Sequence, residues 1–471
     1  MTDPGATLLA RVAGAVGPAQ VRTAPDELAP CLLDWRGRYQ GAARALVLPG
    51  STAEVANVVS ICRELRVPIV PQGGNTSLCG AATPSPDGHA IVLSLARMQR
   101  VRACDVANAA LTIEAGAPLA AAQAAAESHG MMFPLSLASE GSCTVGGVLS
   151  TNAGGTAVLR YGNARELVLG LEAVLPDGQV FGGLRSLRKD NTGYDLKHLF
   201  IGAEGTLGVI TAAVLKLFPM PRSRATAFAA VADVEAAVRL LGTLRDALVD
   251  RLVGFELMSA FSTALSRKHH PHLPDPLPGH PWYVLIQADD AASDGAMPER
   301  VEAALARGVE AEIVQDATLA RSDAQAAALW ALRENISEGQ RREGPNIKHD
   351  ISVPVSAIPR FLRDAESALA QALPGVRFVI FGHLGDGNLH YNLSGPEGTV
   401  AKAFMGNEAV ANRIVYDLVD AAGGSISAEH GIGQLKRGEL RRYKPGVEIE
   451  LMARVKAALD PDGIMNPGKV L

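Results

Sequence analysis

Four short stretches in the C-terminal half carry the residues best able to do chemistry. GHLGDGNLH, residues 382–390, sets His383 and His390 on either side of Asp386-Gly387. Asp-Gly is a strong signal for a two-residue hairpin turn. With that pair at the centre, His383 and His390 become direct cross-strand partners, their Cβ atoms roughly 4.5 to 5.5 Å apart on one face. Two imidazoles so placed can chelate one metal ion or simply hydrogen-bond, and His-x6-His alone does not choose. Asn392, two residues past His390, points to the same side. SISAEHGIG, residues 425–433, offers a carboxylate, Glu429, and a further imidazole, His430, beside glycines that permit a tight turn. A His-His-Glu set with an open fourth position is a recurrent catalytic zinc arrangement, and the same donors accept manganese or iron. LWALRENISEG places Arg333 and Ser337 four residues apart, on one face of an expected helix, and NIKHDISVP gives Lys348 just before a strand. Arginine offers a planar fork to a carboxylate and lysine a point charge, although each, taken singly, is most often an ordinary surface charge.

The first half is marked by glycine. PQGGNTSLCG, residues 71–80, directly follows the strand-like VPIV, and its adjacent glycines let consecutive backbone N–H groups converge on an anion. Asn75, Thr76 and Ser77 add side-chain donors. It is neither a Walker loop, since no Gly-Lys-Ser/Thr follows, nor a G-x-G-x-x-G fingerprint, so a pyrophosphate cradle and a polar turn stay equally open. PLSLASEGSCTVGGVLSTNAGG, residues 134–155, is denser, with Gly141, Gly146, Gly147, Gly154 and Gly155 among Ser142, Thr144, Thr151 and Asn152. With few side chains to bury, its backbone is expected to lie against a large flat ligand rather than pack on itself. A third segment, RKDNTGYDLKHLFIGAEGTLGVIT, residues 188–211, again sets glycines beside a strand.

These residues need scaffolds. At 471 residues with 48% hydrophobic side chains, the chain can build two or three domains with substantial cores. A net charge of −5 provides no basic field for a nucleic acid. The cysteines, Cys31, Cys62, Cys79, Cys104 and Cys143, lack C-x-x-C spacing, which fits a reduced, cytoplasmic protein. The N-terminus has Asp3 where a signal peptide would be positive, and no 18-residue uncharged apolar run appears. Residues 1–39 read as a helical segment. Between 40 and 220, short β-branched runs alternate with helix-like stretches such as TAEVANVVSICRELR. Between 221 and 425, longer amphipathic helices such as DVEAAVRLLGTLRDALVD alternate with strands such as WYVLIQAD and RFVIFGHL, a sheet covered on one face by helices. KHHPHLPDPLPGHPW reads there as a solvated loop. Residues 426–471 are helical, then extended. The fold class is α+β.

The ordered blocks PQGGNTSL, GSCTVGGVLSTNAGG, RKDNTGYDL, GAEGTLGVIT, GHLGDGNLH, SAEHGIG and NPGK resemble those of FAD-dependent D-2-hydroxyacid dehydrogenases of the vanillyl-alcohol-oxidase type. RKDNTGYDLKHLFIG with SISAEHGIG is most similar to members acting on D-2-hydroxyglutarate; D-lactate, glycolate and D-malate are the neighbouring alternatives, and a noncatalytic flavoprotein subunit a more distant one. The resemblance implies a two-subdomain FAD-binding domain over 40–220, a ferredoxin-like substrate and metal domain over 221–425, and a C-terminal segment that returns to the first. It implies noncovalent FAD, because PQGGNTSLCG lacks a histidine, held by Pro71, Gln72, Gly73, Gly74, Asn75, Thr76, Ser77, Leu135, Gly141, Ser142, Thr144, Gly146, Gly147, Thr151, Asn152, Gly154, Gly155, Gly205, Val209, Ile210 and Asn466. It further implies His383, His390 and Glu429 as ligands of a divalent metal, zinc first, His430 as the proton acceptor, and Arg333, Ser337, Lys348, Asn392 and His430 as substrate contacts. The implied partners are a small 2-hydroxyacid, more naturally a dicarboxylate, an electron-transfer flavoprotein or a quinone at the inner membrane face as acceptor, and a second copy of the chain.

Overall fold

The computed structural model describes residues 4–292 and 295–471, so Asp3 lies outside the described residues. The chain forms two compact units, the first made of residues 1–155, 162–220 and 429–471, the second of 156–161 and 221–428.

In the first unit the β-branched runs become strands. Ala45–Val47, Ile91–Ser94 and Ile69–Gln72 pair in parallel, and Val21–Arg22 adds antiparallel to Ala45–Val47. The three parallel strands are almost wholly buried, as sheets of this kind require. Helix Thr52–Glu64 makes the crossover: Ser51 Oγ accepts from Glu54 N at 3.2 Å, and Val55, Val58, Val59 and Cys62 recur at helical spacing on the buried side. A second, antiparallel sheet runs Val101–Asp105, Ala110–Glu114, Val209–Lys216, Val168–Val174, Val180–Gly183. The C-terminal residues join the first sheet, because Ile69 N donates to Ile464 O and Asn466 N to Ile69 O, both at 2.8 Å. All five cysteines are free, and burial pushes the Cys62 thiol up to about 12. Among the described residues no helix is long and apolar enough to cross a membrane.

The second unit is built on an antiparallel sheet of eight strands, in the order Asp316–Leu319, Ser223–Val231, Trp282–Asp290, Leu252–Ser259, Arg377–His383, Asn388–Ser394, Asn346–Ile347, with Asp350–Ser352 also paired to Asn388–Ser394. Leu252–Ser259 is buried at every residue. Helix Val234–Leu248 starts at Asp233, whose carboxylate accepts from Ala236 N at 2.7 Å, and it buries Leu240, Leu241, Leu244 and Leu248. The proline-rich stretch differs from a purely solvated loop, because Leu273 and Leu277 are buried in a cluster with Phe228 and Tyr283.

The hairpin of GHLGDGNLH also differs from expectation. Phe381, not His383, stands opposite His390, a register two residues away from that of a two-residue Asp-Gly turn. The connection is longer: a 3-10 turn over Leu384–Asp386 ends at Gly387, at φ +87°, where a Cβ would meet Val353 O at 2.3 Å. His383 is instead the register partner of Glu256 on the neighbouring strand. A slip of one residue would have put the two imidazoles on opposite faces, whereas a slip of two preserves the face.

Candidate active site

In the second unit, His383 and His390 do converge. Their ring centroids are 5.9 Å apart at an interplanar angle of 74°, and a ring nitrogen of each lies within 4.8 Å of the other. His383 Nδ1 is 2.5 Å from Glu256 Oε1. Glu256 is fully buried, and its other oxygen, Oε2, accepts from Arg333 Nε at 2.7 Å. Burial alone would push this carboxyl up, but the charges of His383 and Arg333, with their hydrogen bonds, hold it down to about 2. Glu256 is thus an acceptor, so His383 presents N–H at Nδ1 and, when neutral, a lone pair at Nε2. His390 has its own carboxylate neighbour, with Nδ1 at 4.0 Å from Asp350 Oδ1, and Asp350 is its register partner. Two imidazoles with buried carboxylates behind them form a donor set that suits a divalent cation.

The expected helix carrying both Arg333 and Ser337 is broken. Arg333 lies in the last turn of Asp323–Glu334, and Ser337 in the first turn of Ile336–Glu343, with Asn335 between. Arg333 is 8% exposed, its Cζ 4.7 Å from the centre of the Phe381 ring, while Ser337 is exposed. Lys348 lies between Asn346–Ile347 and Asp350–Ser352 and is half-buried. The Asn392 amide is engaged with the protein, Oδ1 accepting from His349 N at 3.1 Å and Nδ2 donating to Gln340 Oε1 at 3.1 Å. Near the end of this unit Ala428 N donates to Asp350 O at 3.4 Å, and the chain continues into Glu429.

Within the first unit, Glu429 Oε1 accepts from Gly155 N at 2.8 Å. The turn after His430 is pinned by Glu204, whose oxygens accept from Ile432 N at 2.7 Å and Gly433 N at 2.8 Å. Burial pushes the Glu204 carboxyl up against those two bonds. Neither Glu256 nor Glu204 emerged from the sequence reading. The available signal was a lone acid inside an apolar strand, VGFELM, and inside a glycine turn, GAEGT.

The glycine stretches lie close against the protein where side chains would stand. Rather than facing open space, Gly74 lies where a Cβ would meet Ser142 O at 1.9 Å, Gly73 where it would meet Thr144 Oγ1 at 2.3 Å, Gly146 where it would meet Ala115 Cβ at 2.8 Å, and Gly155 where it would meet Ser136 O at 2.1 Å. At Gly74 and Gly155 the close neighbour is a backbone carbonyl, and at Gly73 and Gly146 a side-chain atom. Thr144 caps helix Val145–Thr151 through Gly147 N at 3.2 Å, and Thr151 Oγ1 donates to Gly147 O at 3.2 Å. Asn152 Oδ1 accepts from Arg165 N at 3.0 Å. Asn75 and Gln72 donate to the backbone of Pro30, Leu33, Cys31 and Ala82, and Ser77 Oγ accepts from Cys79 N and Ala81 N. These side chains shape the loop; Pro71 backs it, packing against Gly205. What remains is a run of main-chain N–H groups, residues 73–77, with no acceptor among the described residues. Asn466 donates from Nδ2 to Ala81 O and Glu204 O, while its buried Oδ1 has no partner among the described residues. Leu135, Val209 and Ile210 are buried apolar walls, and no neighbouring atom lies within 4 Å of a Cβ built at Gly141. An uncommitted row of N–H donors and an orphaned buried acceptor suit a large phosphate-bearing cofactor such as FAD.

Comparison with known proteins agrees with this layout. Residues 43–182 match the FAD binding domain family and residues 220–470 the family of FAD linked oxidases, C-terminal domain. The chain is 40% identical to D-2-hydroxyglutarate dehydrogenase, mitochondrial, of Bos taurus, over 97% of this chain and 82% of that one. It is 37% identical to D-2-hydroxyglutarate dehydrogenase of Xanthomonas citri pv. viticola, over 100% of this chain and 97% of that one. Among solved structures, p-cresol methylhydroxylase with substrate bound superposes with a TM-score of 0.78 at 16% identity, covering 100% of this chain and 97% of the other, a likeness of fold.

Proposed function

The chain belongs to the family of FAD-linked oxidases and is an FAD-dependent oxidoreductase acting on CH–OH groups, and from that premise we propose that it oxidises D-2-hydroxyglutarate to 2-oxoglutarate. The carrying observation is the buried junction at Glu256, where one carboxylate holds both an imidazole of the histidine pair and an inward-turned guanidinium. A metal ligand beside a carboxylate receptor suits an acid whose hydroxyl sits next to a carboxylate, and the two named dehydrogenases are similar to this chain over nearly its whole length.

FAD, when bound, supplies the hydride acceptor, and a divalent cation, zinc first, supplies Lewis-acid polarisation of the hydroxyl. On this reading His383, His390 and Glu429 hold the cation. The tether of Ala428 to Asp350, the register partner of His390, supports that set, since Glu429 is the next residue along the chain. Arg333 and Lys348 bind carboxylate oxygens, the first through its fork and the second as a point charge, with Ser337 and Asn392 as hydroxyl and amide contacts. His430 accepts the proton of the 2-hydroxyl, which requires hydrogen-bond contact and a pKa near neutrality, and Glu204 steadies the turn from which that imidazole projects. The N–H run of residues 73–77 binds the cofactor's pyrophosphate. Electrons leave to a separate acceptor, an electron-transfer flavoprotein or a quinone.

The test is anaerobic bleaching of the flavin absorbance by D-2-hydroxyglutarate, L-2-hydroxyglutarate and D-lactate, before and after chelation of metal. Fast, chelator-sensitive bleaching by the D-2-hydroxyglutarate isomer is expected. Faster bleaching by D-lactate, or none from a flavin- and metal-loaded protein, would overturn the assignment.

A further inference from the structure

Glu256 stands in a strand whose eight residues, Leu252–Ser259, are all buried, and it is 0% exposed. An ionised carboxylate there is costly unless both oxygens are satisfied. They are satisfied by two different groups, His383 Nδ1 at 2.5 Å and Arg333 Nε at 2.7 Å. The two partners reach it from different elements: His383 is its cross-strand register partner, while Arg333 descends from the last turn of helix Asp323–Glu334. The Phe381 ring, two residues from His383 on its strand, lies 4.7 Å from the Arg333 Cζ and 4.8 Å, centre to centre, from the His390 ring. The guanidinium is therefore held at Nε by the carboxylate and over the Phe381 ring. The imidazole and the guanidinium thus take their positions from the two oxygens of one carboxylate.

We propose that Glu256 is a positioning residue shared by the metal-binding and substrate-binding halves of the site, setting the spacing between the His383 imidazole and the Arg333 guanidinium so that metal affinity and substrate affinity depend on one side chain. This rests on the function proposed above. A prop serving the histidine alone would affect metal binding, and one serving the arginine alone would affect substrate binding; a shared anchor couples the two.

The experiment compares wild type, E256Q and R333Q as FAD-loaded holoenzymes. Zinc affinity is measured by competition with a chromophoric chelator without substrate, and KM and kcat for D-2-hydroxyglutarate at saturating zinc. An amide cannot accept at both oxygens, so E256Q is expected to lose 10- to 100-fold in zinc affinity, the usual scale for an outer partner of a ligating histidine, and to raise KM roughly 10-fold, the size of one lost charge-assisted contact, with flavin content unchanged. R333Q is expected to raise KM while zinc affinity stays within about 3-fold of wild type, because His383 keeps its acceptor. If E256Q does not yield folded holoenzyme, E256D serves, its shorter reach holding one partner at most. A glutamate variant altered in neither quantity, or in only one for E256Q, overturns the shared role. A wild type that binds no zinc, or is not reduced by D-2-hydroxyglutarate, overturns the functional reading itself and the inference with it.

Discussion

The two units prepare their sites in opposite ways. In the first, side chains withdraw: glycines let main chain approach main chain at Gly74 and Ser142, and Asn75 and Gln72 turn back on the protein, so that bare N–H groups are what the loop presents. In the second, side chains advance, as imidazoles, a guanidinium and two buried carboxylates emerge from an apolar antiparallel sheet. Backbone donors suit a cofactor whose phosphates are the same in every turnover, whereas reacting a particular acid requires groups that differ in charge and proton affinity. Damage should follow the same division: adding atoms harms the first unit, and removing them harms the second.

The largest expected effect is His390→Ala, which removes a proposed metal ligand and should lower kcat/KM by about 10³-fold while flavin content stays intact, a loss read by steady-state kinetics and absorbance. Retained activity together with lost flavin would reverse the division of labour. Gly74→Ala puts a methyl where the Ser142 carbonyl already lies, with an expected cost of about 3 kcal/mol in denaturant unfolding, at the upper end for overpacking, and substoichiometric flavin on purification. A third test concerns Glu343, which Lys268, His269 and Arg377 surround at 2.8–3.0 Å. Burial would raise this carboxyl, but hydrogen bonds from Lys268, Arg377 and His269, with the charge of Lys268, bring it down to about 2. A carboxyl held below its unfolded value stabilises above the unfolded pKa, and the contribution fades as pH falls toward the folded one. Wild type should therefore exceed E343Q by about 1 to 2 kcal/mol at pH 7, after allowance for screening, and the gap should close between about pH 4.5 and 2 in urea titrations. The smallest is Thr144→Ala, which removes the cap on Gly147 N and should cost about 1 kcal/mol, visible as a small drop in Tm.

Much of this was legible in the sequence where one local rule sufficed. Strand runs such as AIVLSL and helices such as TAEVANVVSICRELR fall where periodicity put them, at Ile91–Ser94 and Thr52–Glu64. The histidine pair was legible for a looser reason: the turn geometry was wrong by two residues, yet alternation protects facing against even slips. Glu256 and Glu204 were not legible, because their partners lie far along the chain, His383 and Arg333 for one and Ile432 and Gly433 for the other. Nor was the break at Asn335, where the sequence pattern runs on from one helix into the next. The packing of the glycine segments was not legible, because glycine permits close approach by a ligand or by the chain itself, and composition does not distinguish the two.

The return of Ile464–Asn466 to Ile69 has a consequence for synthesis. The strand laid down near the start must wait for a partner made near the end, roughly 20 to 80 s later at ordinary ribosomal speeds. Every residue of the second unit leaves the ribosome before that partner exists. From the making of Ile69 to that of Ile464 the growing chain thus carries an incomplete flavin-side sheet, and a chain cut short anywhere in that interval would lack the partner.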